Sequence, residues 1–159
     1  MDATDYAKTL QGLIDKDEIE DLIKCYCDCF DRAQAEEVIA LFTDDAVIDY
    51  GPDVPVMTGP QAFGPMIRKG LSEFFAATSH HVSNVQIQFD GPDRARSVCY
   101  LYAWHRYQGS GVESELWGRY EHVLHRLPLG WRIARLRLTA AGTRNFHREN
   151  MHPIGRHQG

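Results

Sequence analysis

The sequence predicts an α+β protein, with helices in the first half and a strongly curved, mainly antiparallel sheet in the second. Residues 15–33 carry apolar side chains at helical spacing, whereas four segments between residues 80 and 141 are rich in Val, Ile, Tyr and Trp. Turn signals rich in Gly, Pro and Asp separate these four segments. Helices that precede a run of hairpin-linked strands are typical of this class.

The first helix is predicted over residues 15–33. Asp15 followed by Glu18 forms a capping-box pattern, so we expect the helix to begin at Asp15. Ile19, Ile23 and other apolar residues repeat at three- and four-residue intervals, which predicts one buried stripe. The pattern does not decide whether the residues before Asp15 form a further, shorter helix.

Two shorter helices and five strands follow in the prediction. The helices cover residues 35–42 and about 59–75, the second with Pro60 in its first turn. The strands are predicted over residues 46–50, 80–89, 95–108, 113–126 and 131–141. Long strands twist strongly, and bulges help them to curve around the helices, so we expect a cone with an interior pocket.

Composition limits the classes of function. A chain of 159 residues has room for one domain, predicted over residues 1–147, with a flexible polar tail over 148–159. The net charge of −5 argues against nucleic acid as a partner. No apolar run approaches the roughly 20 residues that span a bilayer, and the first residues do not resemble a signal peptide. We therefore expect a cytoplasmic protein without a membrane partner.

The cysteine pattern does not predict a metal site. Cys25, Cys27 and Cys29 lie two residues apart on the first helix, so their side chains point about 200° apart around its axis and cannot converge. The sequence contains neither an H-E-x-x-H motif nor a Gly-rich phosphate loop after a strand. We therefore predict no metal and no cofactor.

Two segments resemble SnoaL-like proteins, a branch of the nuclear-transport-factor-2-like (NTF2-like) superfamily. The string LFTDDAVIDYG, residues 41–51, resembles the entry into their first strand, and residues 79–104 resemble their first long hairpin. The resemblance covers roughly residues 10–147. It implies an NTF2-like (cystatin-like) cone and a homo-oligomer, either a trimer or a dimer.

The resemblance also implies a catalytic pair. Scytalone dehydratase, hexachlorocyclohexane dehydrochlorinase and the bile-acid 7α-dehydratase carry an Asp late in the first long helix and a His early in the first long strand. Asp31 and His80 stand at the similar positions here. Phe30 departs from scytalone dehydratase, which has a Tyr before the Asp, and this puts scytalone in doubt as the substrate.

Further site residues follow from the same resemblance. Tyr50 and His105 match a Tyr and a His of scytalone dehydratase, whereas Tyr26 and Arg144 match a Tyr and an Arg of the bile-acid enzyme. These residues are candidates for catalysis, except Arg144, which is a candidate for substrate binding. Aromatic residues of the long strands are predicted to line the pocket: Tyr102, Trp104 and Trp117.

Strand alternation does not decide which of two neighbouring histidines, His80 or His81, faces the pocket. Val85 and Ile87 share a strand face with His81 rather than with His80. A bulge near Ser83 would bring His80 to that face instead. The resemblance favours His80.

The predicted function is that of a cofactor-independent, dehydratase-like lyase. His80, oriented by Asp31, would remove a proton next to a carbonyl or phenol-conjugated carbon, and Tyr26, Tyr50 or His105 would assist the oxyanion or leaving group. The expected substrate is small and hydrophobic, either aromatic or polycyclic. Three alternatives stay open: a C–C lyase that releases formaldehyde from an aryl diol, an isomerase or cyclase of the ketosteroid-isomerase or SnoaL type, and a non-catalytic binding module.

Overall fold

The computed structural model describes residues 2–155 and begins with a helix longer than predicted, α1 (Ala3–Asp31). Asp2 caps it, because its side chain accepts a hydrogen bond from the Asp5 N–H at 2.9 Å. Asp15 lies in the middle of the helix, where it is buried and pairs with Arg126 of the sheet. The predicted helix start at Asp15 is therefore wrong, since its carboxylate neutralises an arginine and caps no backbone N–H.

Two short helices follow α1. Helix α2 (Ala35–Ala40) ends earlier than predicted, because the chain enters a strand at Phe42. Helix α3 (Pro60–Lys69) begins with its proline, as expected, but passes at Gly70 into one wide π turn that ends at Phe74. Such turns often occur at functional sites, and this one lies beside the cavity described below.

The described residues form one mixed sheet. Its strands are β1 (Phe42–Asp49), β2 (Met57–Thr58), β3 (Phe75–Phe89), β4 (Arg94–Tyr107), β5 (Glu113–Leu127), β6 (Gly130–Arg144) and β7 (His152–Pro153). The order is β2-β1-β6-β5-β4-β3, with β7 also paired to β6. The four long strands pair antiparallel, whereas β1 and β7 run parallel to β6. The sheet is not closed, and the predicted α+β architecture is confirmed.

The predicted bulge in β3 is present. The register against β4 shifts between Ser83 and Gln86, and Asn84 within it has a φ of 51°. Val82 before the bulge and Val85 after it both pack against the core, although simple alternation would separate them. His80 shares the side of Val82 and therefore also faces inward.

A close approach of backbones bends the neighbouring strands. The pairing of β5 with β6 shifts at Gly118, where a Cβ atom would lie 2.2 Å from the backbone oxygen of Thr139. Glycine is the residue that allows this approach. The curved inner face that results packs against the apolar stripe of α1, in which Ile19, Ile23 and Tyr26 are buried.

The C-terminal segment is packed as far as the structure describes it. Strand β7 pairs with β6, and Asp53 accepts hydrogen bonds from the backbone N–H groups of Glu149 and Asn150, each at 2.8 Å. His152 Nε2 lies 2.7 Å from Asp49 Oδ1. Residues 149–152 of the tail, which was predicted to be flexible, thus have polar groups bound by carboxylates near β1. Residues 156–159 of that prediction lie outside the described residues.

Candidate active site

A cavity of about 420 Å³ lies between the helices, the inner sheet face and the C-terminal segment. Its apolar and aromatic lining includes Phe30, Met66, Phe75, Leu101, Leu116 and Phe146. Its polar side chains include Tyr26, Tyr50, His80, His105 and Arg148. A mostly apolar cavity of this size with a few convergent polar groups is typical of a small-molecule site.

Asp31 and His80 form a close pair at this cavity. His80 Nδ1 lies 2.6 Å from Asp31 Oδ1. The backbone N–H of His80 donates to Oδ2 at 2.8 Å, and the Thr78 hydroxyl donates to Oδ1 at 2.7 Å. Because the carboxylate accepts the Nδ1 proton, the neutral imidazole has its lone pair on Nε2. The histidine that lines the cavity therefore has a basic nitrogen available.

The Asp31 carboxyl is held in its charged form. Burial opposes its ionisation, but the hydrogen bonds from His80 and Thr78 outweigh burial, so the pKa of Asp31 lies below its usual value of 3.8. A negative charge in contact with the imidazole stabilises the imidazolium that forms when His80 takes up a proton.

His81 does not share this environment. Its side chain is on the opposite face of β3, where Nε2 lies 2.9 Å from the Ser79 hydroxyl and the ring packs near Tyr102. The residue is exposed. The bulge in β3 therefore decides which of the two histidines faces Asp31.

His105 is the second histidine of the cavity. Its ring centroid lies 5.3 Å from that of His80, and the ring stacks on Phe75 at 5.0 Å. Burial, together with the neighbouring His80 and His147, lowers the pKa of His105 to about 3. The ring is thus neutral near pH 7, and its Nδ1 lies 3.5 Å from the Ser114 hydroxyl.

Tyr26 and Tyr50 form a phenol pair deeper in the cavity. Their hydroxyl oxygens are 2.7 Å apart, and both side chains are buried. Burial raises the pKa of both phenols, that of Tyr26 well above 10.0. The pair therefore stays protonated and can donate a hydrogen bond to an oxygen of a bound molecule.

Four residues predicted to bind substrate lie away from the cavity. Leu101, Ala103 and His105 of β4 are buried on the inner face, so alternation directs the residues between them outward. The outward residues include Tyr102 and Trp104, which are half-buried. Trp117 and Arg144 are exposed. Arg144 pairs with Glu115 at 2.8 Å and lies near Trp117, with its guanidinium carbon 5.8 Å from the ring centre. The structure does not bring these four predicted residues to the site.

The C-terminal segment contributes cavity residues that the sequence did not identify. Phe146, His147 and Arg148 line the cavity, and Arg148 Nη1 donates to the backbone oxygen of Tyr50 at 2.8 Å. Tyr120 of β5 also lines it. The available signal was a second arginine four residues after Arg144, but it lay in a segment predicted to be loose.

The described part of the chain shows neither a metal-binding cluster nor a membrane-spanning helix. Across residues 2–155, no group of three or more His, Cys, Asp or Glu side chains is arranged to hold a metal ion. None of the helices in that part is both long and apolar enough to cross a membrane.

Comparison with known proteins places the chain in a family. Residues 11–137 match the SnoaL-like domain. The chain belongs to the SnoaL-like family. An uncharacterised protein of Mycobacterium tuberculosis is 30% identical to this SnoaL-like protein over 128 residues, which cover 76% of this chain and 82% of the relative.

Solved structures agree with this assignment. A proposed scytalone dehydratase from Novosphingobium aromaticivorans is 30% identical, with a TM-score of 0.89 and coverage of 94% of this chain and 99% of that chain. An NTF2-like protein with a cystatin-like fold from the same species is 23% identical, with a TM-score of 0.73 and coverage of 87% and 90%. The SnoaL-like and NTF2-like resemblance inferred from the sequence is confirmed.

A hexachlorocyclohexane dehydrochlorinase also shares the fold. It is 16% identical, with a TM-score of 0.79 and coverage of 92% of this chain and 99% of that chain. At this identity the likeness concerns the fold alone. Proteins named as a dehydratase and as a dehydrochlorinase thus occur among the structural neighbours of this SnoaL-like protein.

Proposed function

We propose that the protein is a cofactor-independent lyase in which His80 removes a proton to start an elimination. The observation that carries the proposal is the 2.6 Å contact between His80 Nδ1 and the charged Asp31 at the wall of an apolar cavity. A histidine paired with a carboxylate is a suitable general base near neutral pH. A non-catalytic binding module would not require this pair.

The proposed reaction needs one base and at least one hydrogen-bond donor. His80 Nε2 takes the proton from a carbon next to a carbonyl or phenol-conjugated position, and the C–H electron pair moves toward the oxygen. The Tyr26 and Tyr50 hydroxyls, 2.7 Å apart, are placed to donate to the resulting oxyanion. The electron pair then returns from the oxyanion and breaks the bond from carbon to the leaving hydroxyl, which takes the proton held on His80 and departs as water. His105, a neutral ring 5.3 Å from His80, donates a hydrogen bond to this hydroxyl.

The test is a mass-spectrometric assay on a panel of aromatic and polycyclic β-hydroxy ketones. We expect one candidate to lose the mass of water, and we expect the His80→Ala variant to leave it unchanged. Loss of the mass of formaldehyde from an aryl diol would identify the C–C lyase, and an altered product of unchanged mass would identify an isomerase or cyclase. Unaltered candidates without deuterium uptake in heavy water would contradict proton abstraction.

His105 offers a prediction about pH. With a pKa near 3, its ring is neutral throughout the pH range of an assay, so its protonation does not shape the pH profile. His105→Phe should lower kcat by about 10²-fold, as expected when one hydrogen bond to the reacting group is lost, without shifting either limb of the profile between about pH 5 and 9. The measurement is log kcat against pH for both proteins.

The matched control for this measurement is His122→Phe. His122 is also buried, and burial lowers its pKa to about 4, but its ring bonds Ser97 and is absent from the cavity lining. Turnover should therefore be retained in this variant. An acidic limb that moves when His105 alone is replaced would show that His105 titrates during the reaction.

A further inference from the structure

The cavity contains a half-buried cation that the proposed proton transfer does not use. Arg148 lies on the lining, and its guanidinium carbon is 5.3 Å from the ring centre of Tyr50 and 5.7 Å from that of Phe146. Among residues 2–155, no Asp or Glu carboxylate forms an ion pair with it. A charge withdrawn from water without an anion paired to it is costly, and a bound anion would offset this cost.

Hydrogen bonds hold the segment that carries Arg148 against the rest of the protein. We call residues 146–153 the C-terminal strap. Arg148 Nη1 donates to the Tyr50 backbone oxygen at 2.8 Å, and Asp53 binds the two residues that follow through three hydrogen bonds of 2.8 Å each. Further along the strap, His152 contacts Asp49 at 2.7 Å. The guanidinium is therefore held in place before any ligand binds, which lowers the entropic cost of binding.

The other charged groups on the lining do not form an ion pair with Arg148. Hydrogen bonds from Asn150 and Glu149 lower the pKa of the Asp53 carboxyl. The charge of Arg148 acts on this pKa in the same direction, but the two Asp53 oxygens are occupied by the hydrogen bonds of the strap. Lys69 is positive as well and is exposed to water. An anion that enters the cavity would thus find Arg148 as its half-buried counter-charge, surrounded by aromatic rings.

We propose that Arg148 forms a subsite for an anionic oxygen group, a carboxylate carried by an aromatic or polycyclic substrate, and that Asp53 positions Arg148 through the C-terminal strap. A planar guanidinium presents two parallel N–H groups that match the two oxygens of a carboxylate. The apolar remainder of the cavity accommodates the rings. The subsite deepens the proposed function, since it narrows the substrate to an acid.

The test compares two probes of the same shape, 2-naphthoate and 2-naphthamide, by isothermal titration calorimetry on the full-length protein. The wild type should bind the carboxylate about tenfold or more tightly than the amide, as expected for a charge-assisted hydrogen bond. Arg148→Gln should abolish this preference and leave amide binding within about threefold. Arg148→Lys keeps the charge without the planar fork, so it should retain part of the preference.

The matched control is Arg144→Gln, which removes an arginine four residues earlier that pairs with Glu115 on the outer face. Its carboxylate preference should equal that of the wild type. Equal affinity of the wild type for both probes would overturn the subsite. Equal losses for both probes in Arg148→Gln would overturn it too, because they would indicate a damaged cavity instead of a lost counter-charge.

The positioning role of Asp53 is tested by two variants of equal charge. Asp53→Asn keeps an oxygen that accepts from the strap N–H groups, whereas Asp53→Ala keeps none. Carboxylate binding should be about threefold or more weaker in the alanine variant than in the asparagine variant, with equal amide binding. Equal carboxylate binding in the two variants would remove the positioning role.

These measurements do not depend on turnover. Selective carboxylate binding without elimination of any candidate would contradict the proposed lyase and leave the subsite standing. Elimination from neutral candidates, together with equal affinity for the two probes, would contradict the subsite alone.

Discussion

Replacing His80 by alanine should abolish nearly all turnover, because the alternative histidine of the same strand, His81, faces away from the cavity. Asp31→Asn keeps the shape of the side chain but removes the charge that stabilises the imidazolium. It should therefore lower kcat by about 10²–10⁴, the range for general acid–base assistance. The double variant should be little worse than His80→Ala, since residues that act as one unit are strongly non-additive.

The matched control is His81→Ala, which removes the neighbouring, exposed imidazole. Its kcat should equal that of the wild type, and thermal melts of all variants show whether a loss of activity reflects unfolding. Fully additive losses with unaltered melting would mean that Asp31 and His80 act independently and would contradict the dyad. Normal turnover in both single variants would leave a binding module.

Replacing Asp15 by alanine should lower the free energy of unfolding by about 3 kcal/mol. This is the lower end of the range for removing one partner of a buried ion pair, since 26% of the Arg126 side chain is exposed. The loss of hydrogen bonds from Gln11 and Trp131 acts in the same direction. Chemical denaturation measures the change, and Asp17→Ala, an exposed acid on the same helix, is the matched control with a far smaller effect expected.

The contribution of Asp15 should also depend on pH. Burial opposes ionisation of its carboxyl, but the hydrogen bond and the charge of Arg126 outweigh burial and lower the pKa of Asp15 below 3.8. A lowered pKa in the folded state means that the stabilisation is present above about pH 4 and is lost on acidification below it. The stability difference between wild type and Asp15→Ala should therefore shrink in acid. A loss no larger than that of Asp17→Ala would contradict the buried pair.

Predictions of elements succeeded where the signal was local. Helical spacing from Ile19 onward and turn signals between the long strands located the end of α1 and the hairpins within a few residues. The start of α1 was misjudged because Asp15 and Glu18 have the local appearance of a cap. Their environment depends on Arg126, more than a hundred positions later in the chain.

The candidate site was predicted in part. Asp31, His80, Tyr26, Tyr50 and His105 were named from the resemblance, and the structure brings their side chains to one region around the cavity. Alternation alone favoured His81, and only the bulge at Asn84 explains why His80 faces Asp31. The missed residue with the largest consequence is Arg148, because its polar surroundings in the sequence resemble those of a loose terminus.

The sequence by itself determined the α+β class and the order of helices and strands, since hydrophobic periodicity and turn chemistry act between near neighbours. The resemblance of residues 41–51 and 79–104 indicated the family. Only the tertiary structure decided which strand face each aromatic residue occupies, because one bulge or one register shift changes the facing of part of a strand. It also decided that the strap returns to the cavity, where the Tyr50 carbonyl and the Asp53 carboxylate hold residues nearly a hundred positions away in the chain. Contacts over such separations depend on the folded sheet, and local sequence patterns do not record them.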